Sequence, residues 1–114
     1  MNDSANSDTS SDHVAKIEQL ISSAPIFVFM KGTPQQPACR FSAQIKAIFD
    51  ELHAPFQGYN ILEDFQMRQA IKDYTNWPTL PQIFIHGTFI GGADILEELK
   101  TSGELQPLIS NLNI

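Results

Sequence analysis

Cysteine is nearly absent from this 114-residue chain: Cys39 stands alone. One cysteine excludes an intramolecular disulfide and any all-cysteine metal site built from a single chain. Without a disulfide framework, a reducing compartment, the cytoplasm, is expected. Long apolar runs are missing too. The longest, Ala24–Met30, falls far short of the roughly 20 residues that a membrane helix needs, so no membrane span is expected. Basic residues are scarce: 7 Lys and Arg face 13 Asp and Glu, for a net charge of −6. Phosphate backbones demand clustered cations, so nucleic-acid binding is disfavoured. The first twelve residues contain Asp3, Asp8 and Asp12 but no Lys or Arg. They also lack the apolar stretch of a secretory signal and the arginines of a transit peptide. Residues 1–12 therefore read as a disordered, solubilising tail, and residues 13–114 as one domain.

Within that domain, Val14, Ile17, Leu20 and Ile21 recur at helical spacing, with Asp12 as a candidate N-cap. Ile26–Met30 is a continuous β-rich apolar run, the pattern of a strand covered on both faces. A loop with Gly32, Pro34 and Pro37 interrupts it. A second helix then carries Phe41, Ile45, Ile48, Phe49 and Leu52 on one face. Phe56–Ile61 is expected as a strand. Asp64 caps a third helix, striped by Met67, Ala70, Ile71 and Tyr74. Gln82–Ile85 and Thr88–Ile90 flank His86-Gly87, the signal of a tight hairpin. Asp94 is expected to cap a fourth helix that ends near Gly103, and Leu105–Leu112 forms a fifth. Two strands joined through a helix pair in parallel, and the hairpin is antiparallel. The expected fold class is α/β, a mixed four-stranded sheet flanked by helices.

Three features bear on chemistry. Cys39 falls where a loop gives way to a helix, so unpaired N–H groups and the positive end of the helix dipole favour its thiolate. Lys31 and Arg40 push the same way. A lone cysteine is also commonly a small buried hydrophobe, and local sequence leaves both readings open. In Trp77-Pro78-Thr79-Leu80-Pro81-Gln82, a strand-opening proline in cis would present the Leu80 backbone to a ligand; an ordinary rigid turn is the simpler alternative. Gly91-Gly92-Ala93-Asp94 joins the last strand to a helix, either as a plain capped turn or as a place where a ligand approaches the backbone.

Taken together, Cys39, Thr79-Leu80-Pro81 and Gly91-Gly92-Ala93-Asp94 resemble the active-site set of the monothiol glutaredoxins in order and spacing. Lys31-Gly32-Thr33-Pro34, Arg68-Gln69-Ala70-Ile71-Lys72 and Asn76-Trp77-Pro78-Thr79 match as well, so the resemblance spans roughly residues 13–112. It implies a thioredoxin fold and a glutathione groove. By this resemblance Lys31 and Arg68 meet the glycine carboxylate, Leu80 before a cis-Pro81 pairs with the cysteinyl unit, and Gly92, Ala93 and Asp94 hold the γ-glutamyl end. It also implies a [2Fe-2S] cluster bridging a homodimer through Cys39 of each subunit and two glutathiones. The partners it implies are a BolA-type protein and iron–sulfur acceptor apoproteins. The alternative it allows is glutathione-dependent thiol transfer, in which Cys39 deglutathionylates proteins. The family motif Cys-Gly-Phe-Ser reads Cys39-Arg40-Phe41-Ser42 here. Arg40 is expected to raise the thiolate fraction while occupying space near the cluster.

Overall fold

The computed structural model describes residues 11–110 of the chain. The tail proposed for residues 1–12 lies outside it up to residue 10, as does the last part of the fifth helix. The elements run α1 (Ser11–Ile21), β1 (Ile26–Met30), α2 (Arg40–Glu51), β2 (Gln57–Asn60), a 3-10 turn (Ile61–Glu63), α3 (Phe65–Thr75), β3 (Gln82–Ile85), β4 (Thr88–Gly91), α4 (Ala93–Ser102) and α5 (Leu105–Ser110).

β1 shows why the sheet is covered twice. All five of its residues are buried. Strand side chains alternate between faces, so Ile26, Val28 and Met30 join Ile45, Ile48, Phe49 and Leu96 on the side of α2 and α4. Phe27 and Phe29 join Ile17, Ile21, Met67, Ala70 and Ile71 on the side of α1 and α3. The sheet order is β2-β1-β3-β4, with β1 and β2 parallel and the other pairs antiparallel. This is the mixed four-stranded sheet that the pattern requires. At the hairpin, His86 and Gly87 both have positive φ, 54° and 76°, as a two-residue turn matched to strand twist demands.

Local assignments shift in several places, among them Phe41, which is expected on the buried face of α2 and is 40% exposed. Asp12 lies inside the first turn of α1 instead of capping it, where its charge still suits the helix dipole. β2 stops at Asn60 because the Asn60 side chain accepts from Leu62 N at 3.0 Å and starts the 3-10 turn. Tyr74 is exposed, although it shares the spacing of the α3 stripe. Gly92, not Asp94, is the N-cap of α4, and no side chain bonds there. The cap of α3 by Asp64 is as expected.

Candidate functional site around Cys39

The loop before Cys39 is held from both ends. Ala38 N donates to Lys31 O at 2.8 Å, and Thr33 and Gln36 exchange backbone bonds at 3.1 Å. Gly32 sits at φ 89°, and a side chain there would collide with Gln36 O, so glycine is required. Gly32 N donates to the Asn60 side chain at 3.0 Å, which ties the loop to the end of β2.

This loop delivers Cys39 as the N-cap of α2, in extended conformation. Ser42 N donates to Cys39 Sγ at 3.5 Å, and the Ser42 hydroxyl stands at the same distance from the sulfur. Ser42 is fully buried, and its oxygen accepts from Lys31 N at 3.1 Å. One lone pair of the hydroxyl takes that amide; toward a thiol the oxygen accepts, and toward a thiolate the hydroxyl turns donor. Burial pushes the Cys39 thiol up. The Ser42 hydroxyl, the Ser42 and Phe41 amides and the Lys31 charge outweigh it, leaving the thiol below its ordinary value. The Arg40 charge is not among these influences: its guanidinium lies over the Phe41 ring, 5.0 Å from the centroid.

Beside the thiol runs a groove of about 660 Å³. Its α3 wall offers Arg68 and Lys72, with Lys31 from the end of β1, and its α4 wall offers Asp94 and Glu98. Leu80, Pro81, Gly92 and Ala93 line it as well, so the tertiary structure brings the candidate residues to one place. Cys39 itself flanks the groove through Phe41, which does line it. The Leu80–Pro81 peptide bond is cis.

Sequence reasoning missed several contributors. Lys72 stands one helical turn from Arg68, and Glu98 one turn from Asp94, so i,i+4 spacing was the signal that pointed to both. Gln82 is fully buried in β3. Its amide donates to Trp77 O and Thr79 O, both at 3.1 Å, and accepts from the Thr75 hydroxyl at 2.9 Å. It clamps the loop that presents Leu80, and nothing in an apolar strand pattern announces it. Among the described residues no group of three or more His, Cys, Asp or Glu is placed to hold a metal ion. No helix there is long and apolar enough to cross a membrane.

A mixed sheet between two helical layers, with a lone thiol capping a helix beside a cis-proline loop, defines a thioredoxin-fold protein of the one-cysteine kind. The family model for glutaredoxin matches residues 26–90. A ycf64-like monothiol glutaredoxin of Synechocystis is 45% identical over 95 residues, 83% of this chain and 89% of the relative. The chain belongs to the glutaredoxin family, in its monothiol branch. It is also 46% identical over 91 residues to the far longer glutaredoxin 3 of Danio rerio, of which it spans 28%. Among solved structures, reduced apo GrxS14 of poplar superposes with TM-score 0.78 at 41% identity, covering 87% of this chain and 91% of that one. A buckwheat glutaredoxin–glutathione complex superposes with TM-score 0.84 at 27% identity, covering 95% and 96%.

Proposed function

We propose that the chain binds glutathione in this groove and that two copies together carry a [2Fe-2S] cluster as cargo. The observation that supports this most is one thiolate-favouring sulfur beside a groove with cations on one wall and carboxylates on the other. Glutathione carries two carboxylates and one ammonium, so both walls find a partner. Lys31 and Arg68 suit the glycine carboxylate, the arginine through its planar fork. The free N–H groups of the first turn of α4 suit the γ-glutamyl carboxylate, and Asp94 its ammonium. Leu80 offers its backbone to the cysteinyl unit. The buckwheat complex supports the same ligand here.

A [2Fe-2S] cluster takes four sulfur ligands. One chain contributes only Cys39, so two subunits and two glutathione sulfurs complete the set. Half of those ligands are exchangeable small molecules, which suits a carrier. A BolA-type protein and iron–sulfur acceptor apoproteins are the partners proposed, in the reducing cytoplasm where Cys39 stays free. Anaerobic reconstitution with iron, sulfide and glutathione tests this. A visible chromophore on a dimer is expected, and Cys39→Ser or omission of glutathione abolishes it. A chromophore on a monomer without glutathione overturns the assignment.

The Ser42 bonds to Cys39 favour a second activity, thiol transfer. The Cys39 thiolate attacks the glutathione sulfur of a glutathionylated protein, and the protein thiolate leaves and takes a proton from water. A free glutathione thiolate then attacks the mixed disulfide, releasing glutathione disulfide and the Cys39 thiolate. Release of protein thiol, measured against Cys39→Ser, is the check.

A further inference from the structure

The positive charge of this acidic chain is unevenly placed. Lys46 and Lys100 are spent on Asp50 and Glu51 at 2.9 and 2.8 Å, and Lys16 on the Tyr59 hydroxyl at 3.0 Å. The other four of the seven cations fall on the groove side: Lys31, Arg68 and Lys72 line the groove, and Arg40 directly follows Cys39. The first three face the ligand that the groove is proposed to hold. Arg40 is exposed, outside the set of groove-lining residues, and stacked on Phe41, which is 40% exposed. An arginine laid on an aromatic ring keeps its donors pre-organised and directed outward. Arginine and aromatic side chains are also the types that anchor protein–protein contacts. With the thiolate held by Ser42, the Phe41 amide and Lys31, the Arg40 charge is available to whatever protein approaches Cys39.

We infer that Arg40, stacked on Phe41, is a specificity-determining residue that selects partner proteins carrying acidic residues beside their reacting sulfur. The guanidinium fork matches a carboxylate geometrically. The inference rests on the proposal that Cys39 is the reacting thiol. The chemistry is the exchange written above: the partner's disulfide is reduced, one glutathione supplies the electrons with Cys39 returning as thiolate, and glutathione disulfide leaves.

Two glutathionylated peptides, identical except for Glu or Lys on both sides of their cysteine, provide the test. The readout is the ratio of the two second-order rate constants for peptide thiol release by the full chain, at low and high salt. This ratio is internal to each variant, so partial misfolding lowers both rates without changing it. The wild-type chain prefers the acidic peptide, and Arg40→Gly lowers that preference roughly two- to fivefold, the range of one exposed charge pair. Arg40→Glu lowers it further, and added salt shrinks the difference between wild type and variants. An unchanged ratio in both variants overturns the inference. Absence of reaction with either peptide overturns it too, while leaving the cluster reading to its own test, the reconstituted chromophore.

Discussion

The N-caps of α2 and α3 occupy the same place in the same local motif and do different work. Cys39 and Asp64 have similar φ, −152° and −147°, and each side chain accepts the N–H three residues on. For Asp64 that bond is 3.0 Å, and the Tyr59 hydroxyl, itself reached by Lys16, donates to its second oxygen at 2.5 Å. For Cys39 the cap is a 3.5 Å contact to sulfur, a weak acceptor. Both groups are held below their ordinary pKa, Asp64 chiefly by the Tyr59 hydrogen bond, Cys39 by Ser42 against the penalty of burial. A helix start stabilises an anion in each case. A carboxylate locked by a tyrosine and a lysine secures α3 to β2 and α1, whereas a loosely bonded sulfur remains a nucleophile. The lesson is that a cap becomes a reactive site when its anion is favoured but its orbitals are not consumed.

The sharpest way to break that comparison is Cys39→Ser. It preserves a capping side chain, so α2 and the fold persist, yet thiol transfer and the glutathione-dependent chromophore are lost entirely. Circular dichroism and visible absorption separate the two outcomes. Next is Ser42→Ala, which removes the hydroxyl and leaves Lys31 N without its acceptor. The Cys39 pKa rises toward the ordinary value of about 8.5, read from thiolate absorbance against pH. Stability falls by about 1–3 kcal/mol, because a part-buried donor loses its partner.

Asp64→Ala is the structural counterpart. It costs about 1 kcal/mol, the usual value of an N-cap, measured by denaturant unfolding, and leaves the Cys39 titration where it was. Its pH dependence follows from a lowered folded pKa. The contribution is complete above the unfolded value near 3.9 and disappears as pH falls through the lower folded value, so wild type and variant converge in acid. The smallest effect belongs to Lys16→Met. Lys16 is exposed; it bonds the Tyr59 hydroxyl and acts on Asp64 itself only by its charge, so the loss is about 0.5 kcal/mol or less. A larger loss would mean that the α3 cap depends on Lys16 as strongly as the thiolate depends on Ser42.

Much of the fold was legible because short-range periodicity reflects burial. Ile26–Met30 could be continuous and apolar only if both faces were covered, and Gly87 marked the hairpin. Cap identities were harder. Asp94 looks like a cap and lies in the first turn of α4, yet Gly92 takes the N-cap position, because the path of the chain from β4 decides where helical geometry begins. Phe41 fits the apolar stripe of α2 but turns to the groove, while Ser42 is buried in the same first turn.

What this amino-acid sequence determined by itself was the order of elements, the two-faced core of β1, the isolation of Cys39 and the turn chemistry around it. Each depends on neighbours within a few residues, where backbone geometry and side-chain pattern leave little choice. Only the tertiary structure decided that Lys72 and Glu98 stand across one groove, that Gln82 clamps the loop before Pro81, that Ser42 rather than Arg40 serves the thiolate, and that Arg40 rests on Phe41. The groove joins segments far apart in the chain, and a hydrogen bond or a stacked ring is settled by ångström-scale placement that spacing along a sequence does not encode.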